Sequence, residues 1–151
     1  MRRILLVITL VAGLAIAANA SARPDSDTSV SATTFTIPLS GPGGTGTAFV
    51  ALNPGGKVCY VIEVTLTTAG DVPQEPAPGI GNAHIHDVPT GGIAIHLESS
   101  FTALGAGMFI AADCVRGDKQ VVRDALAHPD QYYVNVHTAS FPGGAVSGTL
   151  A

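Results

Sequence analysis

The feature that most constrains the fold is a succession of short apolar segments separated by turns rich in glycine and proline. Polar and apolar residues alternate within the segments, as in Thr33–Ile37, and Val, Ile and Thr are frequent. Such alternation is typical of strands with one buried face. Asn53–Gly56 is a turn signal between two such segments, so Gly46–Leu52 and Lys57–Leu66 are predicted to form a hairpin. Further strands are predicted over 83–86, 93–97, 108–112, 131–138 and 145–150, and residues 99–107 are interpreted as a loop.

One helix interrupts this pattern. Asp118 is expected to be its N-cap, and apolar residues then recur at helical spacing until Pro129 ends it. Several short strands at close spacing, with glycine and proline turns between them, favour an all-β fold. We therefore expect an antiparallel sandwich or barrel of Greek-key type, with one short helix.

The N-terminus has the pattern of a cleavable signal peptide. Two arginines follow Met1, an apolar run extends over Ile4–Ala18, and small residues suited to cleavage close the run at Ala20 or Ala22. Residues 1–22 are thus predicted to be a signal peptide, 23–32 a flexible segment and 33–151 the folded domain. The product is expected to be secreted or periplasmic, with no membrane insertion after cleavage.

Charge and cysteine content narrow the functional classes. Seven Lys and Arg residues against eleven Asp and Glu give a net charge of −4, so no basic surface is available to neutralise the phosphates of nucleic acid. Cys59 and Cys114 are predicted to form a disulfide, because an exported chain meets an oxidising compartment. The alternative is a pair of buried free thiols. Among catalytic motifs, neither a nucleophile elbow nor a metalloprotease or phosphate-binding signature occurs, so an enzyme is not predicted.

Three histidines form a candidate metal site. Side chains alternate along a strand, so His84 and His86 share one face, and His137 joins them if its strand is a neighbour. Asp87 is a weaker candidate, either as a ligand or as an acceptor that fixes an imidazole tautomer. Three imidazoles suit copper or zinc. In the alternative interpretation, these histidines only make structural hydrogen bonds, the role also expected of Asn135 and Thr138.

The two remaining histidines are not assigned to the site. His96 lies on the face opposite Ile95 and Leu97, so it is expected to point to solvent or into the same polar cluster. His128 precedes Pro129 at the end of the helix, where a histidine is expected to interact with terminal carbonyls.

Three segments resemble a CHRD domain, the module repeated in chordin and found singly in microbial exported proteins. They are Lys57–Ile62, the Ala83–His86 segment with Gly91 and Gly92, and Tyr132–Thr138 with the later Pro142-Gly143-Gly144 and Gly148. The resemblance covers 33–151 and implies an immunoglobulin-like β-sandwich. It also implies a non-enzymatic binding or structural module, whose partner would be an extracytoplasmic protein or small ligand. Family members often carry an arginine before the last glycine, where this chain has Ser147, so any role of that arginine is not transferred.

The His84–Ile85–His86 segment is also faintly similar to the paired metal-binding histidines of Cu/Zn superoxide dismutase. The dismutase needs a bridging histidine and a further set of zinc ligands after this pair. This chain has no such run after His86, so dismutase activity is not expected.

Overall fold

The computed structural model describes residues 31–97 and 100–151. The predicted signal peptide and almost all of the flexible segment lie outside the described residues. In the described part, nine strands and one α-helix follow each other in chain order, with a short 3-10 turn at Pro129–Gln131. The elements are β1 (Thr33–Gly41), β2 (Gly44–Leu52), β3 (Lys57–Leu66), β4 (Ala83–Asp87), β5 (Ile93–His96), β6 (Thr102–Gly105), β7 (Met108–Arg116), α1 (Lys119–Ala127), β8 (Tyr132–Val136) and β9 (Val146–Thr149).

The predicted all-β class with one short helix is confirmed, but the two-sheet arrangement is not. The described strands form one curled antiparallel sheet in the order β5-β4-β8-β9-β1-β2-β3-β7-β6. β1 joins the two halves of this sheet, because it pairs with β2 on one side and with β9 on the other. Alternation shows which face of a strand is buried but not which strands are neighbours. The sequence pattern was therefore compatible with a sandwich.

The predicted hairpin of β2 and β3 is confirmed, with Ala51 opposite Cys59 and Leu52 opposite Val58. The loop predicted over 99–107 is wrong in part, because β6 lies within it and pairs with β7. This edge strand is fully exposed and its register with β7 shifts before Gly105, so it lacks the alternation of burial that marks a strand. β7 is also longer than predicted and continues through Cys114.

Cys59 and Cys114 form the predicted disulfide, with an S–S distance of 2.04 Å. The two cysteines are directly opposite each other on β3 and β7, on the outer face of the sheet. Cys114 is exposed and Cys59 half-buried. The bond thus reinforces a strand pair that backbone hydrogen bonds already hold.

The core lies on the inner face of the curled sheet. Alternate residues of each long strand point inward, so that Val50, Ile62 and Val134 are fully buried. The helix adds Val122 and Ala125 to this core. Across the described residues, no helix has the length and apolarity that crossing a membrane would require.

The N-cap of α1 is as predicted, because the Asp118 carboxylate accepts hydrogen bonds from the backbone N–H groups of Gln120 and Val121, at 2.7 and 3.2 Å. We expect Asp118→Ala to lower the free energy of unfolding by about 1 kcal/mol, since these two donors lose their acceptor. Urea denaturation measures the change. Gln120→Ala is the matched control, because it removes an exposed side chain from the same turn. Equal effects of the two substitutions would contradict the capping role.

Candidate metal centre

Two neighbouring strands bring the three histidines together. β4 pairs with β8, with His84 opposite Asn135 and His86 opposite Tyr133. His84 and His86 therefore project from the outer face, the face on which Tyr133, Asn135 and the following His137 also lie. Since β4 and β8 are adjacent in the sheet, the condition for a third imidazole to join the pair is met.

The three imidazoles converge on one point. One ring nitrogen from each of His84, His86 and His137 lies within 4.8 Å of the other two. The Nε2 atoms of His84 and His137 are 2.9 Å apart. The ring centre of His84 is 4.5 Å from that of His86 and 4.5 Å from that of His137. The cluster is tight enough to surround a single small ion.

Although the cluster lies on the outer face of the sheet, loops cover it. His84 is 1% exposed and His137 4% exposed, whereas His86 is half-buried. The backbone N–H of His137 donates to the carbonyl of Asn82, and the N–H of Gln74 donates to the carbonyl of His137. The loop that precedes β4 is thus held directly over the site. Its three prolines, at positions 73, 76 and 78, fit a segment that makes few ladder hydrogen bonds.

Backbone carbonyls fix the orientation of two of the rings. Nδ1 of His86 lies 3.1 Å from the carbonyl oxygen of Gly91, and Nδ1 of His137 lies 2.9 Å from that of Pro142. A carbonyl oxygen can only accept a hydrogen bond, so each of these rings carries a proton on Nδ1 and, in its neutral form, has no proton on Nε2. The lone pair is then on Nε2. For His86 this atom is buried and has no hydrogen-bond partner among the described residues.

The ring of His84 can donate a hydrogen bond to one of these lone pairs, the one on Nε2 of His137. Because Nε2 of His137 lacks a proton, the 2.9 Å contact requires Nε2–H of His84 to donate to it. An ion would be bound by both nitrogens once this proton had moved to Nδ1 of the same ring, which is buried and has no hydrogen-bond partner among the described residues. The contact between His84 and His137 therefore has two interpretations. It is either a structural hydrogen bond, or the two nitrogens are ligands of the same metal ion.

Burial lowers the pKa of the two most buried imidazoles. Desolvation, together with the neighbouring rings of His137, His86 and His96, lowers the pKa of His84 to about 3, and the nearby Ile80 carbonyl, which would stabilise the charged ring, only partly opposes this shift. The pKa of His137 is lowered too, first by desolvation, while the Pro142 carbonyl raises it and the ring of His86 lowers it. Neutral imidazole is the form that binds metals, so these lowered pKa values favour metal binding at neutral pH.

The turn after β8 holds the carbonyl that orients His137. Asn135 donates from Nδ2 to the carbonyl of Gly143 at 3.3 Å, and the hydroxyl of Thr138 accepts from the N–H of Phe141 at 3.2 Å. Gly144 has a φ of +130° and lies so close to Asn135 that an added Cβ would be 2.3 Å from its Oδ1. Glycine is therefore required there on two grounds. Asn135 and Thr138 make hydrogen bonds that shape this turn around His137.

The other candidate residues lie in different places. Asp87 is outside the group of converging nitrogens, and its carboxylate instead accepts a hydrogen bond from the hydroxyl of Thr90 at 3.1 Å. His96 lies on β5 directly opposite His84, at the edge of the cluster. His128 is the C-cap of α1, where its backbone N–H donates to the carbonyl of Asp124.

Sequence reasoning gave no role to Tyr133, although it shares the face of the histidines. Its ring stacks on that of His86, with centres 4.9 Å apart and an angle of 9° between planes. The alternation along β8 placed it on the correct face. The stacking itself depended on the register between β4 and β8, which the sequence does not contain.

The fold and the cluster together define a class, an antiparallel β domain with one disulfide and a covered group of imidazoles suited to binding a metal ion. The chain belongs to the CHRD domain family, whose family model matches residues 25–150. The resemblance inferred from the sequence is thereby confirmed. A search of curated proteins and a search of solved structures returned no match.

Proposed function

We propose that this CHRD domain is an exported, non-enzymatic binding module and that His84, His86 and His137 bind a copper or zinc ion. One observation carries the proposal: the Nε2 lone pairs of His86 and His137 are directed by backbone carbonyls, and that of His86 is buried without a partner among the described residues. Histidines that bind metals usually donate their other ring N–H to a carbonyl or carboxylate. Two of the three rings meet this condition.

The donor set favours Cu(II) over Zn(II). All three candidate ligands are imidazole nitrogens, and Cu(II) binds more tightly than Zn(II) to most nitrogen sites.

A fourth position would be open to a water molecule or a small ligand, because three protein ligands do not complete the coordination of a copper or zinc ion. The ion would supply positive charge beside His84 and His137, whose lowered pKa values disfavour the cationic imidazoles. Among the described residues, no carboxylate belongs to the converging group. Charge neutralisation would then come from the small ligand, which for Cu(II) or Zn(II) includes hydroxide or a carboxylate.

The extracytoplasmic location is part of the proposal. It is supported by the disulfide, which persists in oxidising compartments, and by the leader pattern of residues 1–22.

A second candidate is a binding or structural module that holds no metal. The hydrogen bond between His84 and His137 favours it, because this bond ties β4 to the end of β8 without any ion. The partner would then be an extracytoplasmic protein or small ligand bound elsewhere on the domain.

Metal titration distinguishes the metal-binding module from the module that holds no metal. The purified protein, stripped with a chelator, is titrated with CuCl2 and with ZnCl2 in competition with a buffer of known affinity. We expect one Cu(II) per chain, bound more tightly than Zn(II), with nitrogen couplings in the electron paramagnetic resonance spectrum. His86→Ala is expected to weaken Cu(II) binding by about 100-fold or more, since one of three ligands is lost.

The matched control is His128→Ala, which removes an exposed histidine at the end of α1 and should leave affinity unchanged. His86 is chosen because it is half-buried, so its loss should disturb the fold less than loss of the buried His84. Circular dichroism checks that each variant is folded. Wild type that binds no tighter than His86→Ala would rule out the metal site and leave the metal-free module.

A further inference from the structure

A shallow cavity lies on the outer face of the sheet beside the disulfide. Its volume is about 430 Å³, and both cysteines line it. Most of its other lining side chains are apolar, among them Phe49, Ala51, Val61 and Ala112. The core is on the inner face, so the packing of the domain itself does not account for these apolar groups on the outside.

The shape of the cavity follows from the register of β2, β3 and β7. Phe49 is opposite Val61, which in turn is opposite Ala112, and the disulfide lies in the next row of side chains. The ring of Phe49 is 40% exposed. It stands beside smaller side chains, so the space next to it can take the apolar body of a small molecule.

The disulfide presents one of its two sulfurs at an edge of the sheet. β6 pairs with β7 only over Met108–Ile110. Within the described residues, the rest of β7 has a paired strand on one side only, so Cys114 lies at an edge. Cys59 instead lies between Cys114 and Ala51 of β2. Cys114 is accordingly exposed, whereas Cys59 is half-buried.

This position decides which sulfur a thiolate can attack. The incoming sulfur approaches roughly in line with the S–S bond that it breaks, and access to the attacked sulfur limits the rate. For Cys114 that approach comes from beyond β7, where the sheet is open. For Cys59 it would come across β2, where Ala51 lies. Sγ of Cys114 is therefore the accessible electrophile, and Cys59 is the leaving group.

A carboxylate beside Cys114 selects against negatively charged thiols. The backbone N–H of Cys114 donates to Oδ1 of Asp113 at 2.7 Å. Asp113 is exposed and also lines the cavity, where it is the one charged residue among the described lining residues. Its charge repels an anion such as glutathione, whereas the apolar wall favours an uncharged body.

We propose that this cavity binds a small uncharged thiol with an aromatic or aliphatic body, and that the bound thiol attacks Sγ of Cys114. Its thiolate forms a mixed disulfide with Cys114, the original S–S bond breaks, and Cys59 leaves as a thiolate that takes a proton from water. A second thiol molecule then attacks the ligand sulfur of the mixed disulfide and releases Cys114. Two thiols are oxidised to one disulfide while the protein disulfide is reduced, so the exchange needs no other oxidant.

The experiment measures how fast different thiols open the disulfide of the chelator-treated protein. Phenylethanethiol, mercaptoethanol and glutathione are each added at about pH 8, and samples are quenched with iodoacetamide. Each rate is divided by the rate of the same thiol with the disulfide of mercaptoethanol, which removes differences in intrinsic reactivity. We expect the relative rate of phenylethanethiol to exceed that of mercaptoethanol about tenfold. Glutathione should be slower than mercaptoethanol by about threefold or more.

Mass spectrometry of the quenched peptides identifies the attacked sulfur. The phenylethyl adduct is expected on Cys114 and the carbamidomethyl group on Cys59. Phe49→Ser should bring the relative rate of phenylethanethiol to within about twofold of that of mercaptoethanol, because the apolar wall is lost. The matched control is Thr45→Ser, at an exposed position of the same strand outside the cavity.

Asp113→Asn tests the charge separately, since it keeps an oxygen that can accept from the N–H of Cys114. It should raise the relative rate of glutathione about threefold and leave that of phenylethanethiol unchanged. Equal relative rates of phenylethanethiol and mercaptoethanol with wild type would overturn the proposal without recourse to any variant. Adducts on Cys59, or equal effects of Phe49→Ser and Thr45→Ser, would overturn it as well.

Discussion

Replacing Cys59 and Cys114 by alanine together is expected to lower the free energy of unfolding by about 4 kcal/mol. The disulfide links residues 55 positions apart, and the chain-entropy model gives roughly this value for a loop of that length. The linked segment contains β4, β5 and β6, and β5 and β6 are the strands at the two edges of the sheet. The bond therefore restricts the unfolded chain across a large part of the fold. Guanidinium denaturation of the metal-free protein measures the loss.

The reduced wild type provides an independent measurement, because dithiothreitol breaks the same bond without a substitution. It should unfold close to the midpoint of the double variant. The double variant in dithiothreitol controls for effects of the reductant itself. A difference below about 1 kcal/mol between oxidised wild type and the double variant would show that the pairing of β3 with β7 suffices without the bond.

Acid is expected to destabilise the metal-free protein through His84, by about 3 kcal/mol between about pH 7 and about pH 4. The pKa of His84 is lowered in the folded protein from 6.5 to about 3, so below pH 6.5 the unfolded chain binds a proton that the folded protein does not. The stabilisation is complete above about pH 6.5 and is lost as the pH falls toward 3. The lowered pKa of His137 acts in the same direction. Urea denaturation at a series of pH values measures the slope.

Carboxyl groups also titrate in this range, so the measurement needs a reference. His84→Gln, folded at neutral pH, should show a shallower loss of stability on acidification than wild type, whereas His128→Ala should keep the wild-type slope. Nuclear magnetic resonance of the His84 ring gives its titration directly and does not depend on either variant. A ring that titrates near pH 6.5 in the folded protein would contradict the prediction. Bound Cu(II) should make the wild-type slope steeper, because protonation competes with the ion.

The sequence predicted which side chains share a face far better than it predicted which strands are neighbours. The period of two placed His84 with His86, and Asn135 with His137, because it is a property of the extended backbone alone. The order of strands depends on long-range pairing, as when β1 connects two halves into one sheet. The same limit explains why the sandwich was expected and why the stacking of Tyr133 on His86 was not.

The sequence predicted the candidate ligands of the site but not the backbone carbonyls that orient them. The imidazoles could be named from residue type and spacing, since few side chains bind copper or zinc. The carbonyl oxygens of Gly91 and Pro142 belong to the backbone of loops, and every residue has such an oxygen. Nothing in a sequence marks which of them will face a histidine. β6 was missed for a related reason, because an exposed edge strand has no buried face to give it a pattern.

The use of backbone carbonyls to orient the histidines has a consequence for how the site can vary. Apart from Thr138 and Gly144, which shape the turn around His137, the side chains of the loops over the site contribute little to ring orientation, so many substitutions there should be neutral for it. Loop length matters more, because inserting or deleting one residue near Gly91 or Pro142 would move a carbonyl by a whole peptide unit of about 3.8 Å. A domain of this kind can therefore change the chemistry of its surface freely, provided that the spacing between its histidines and its turns is kept.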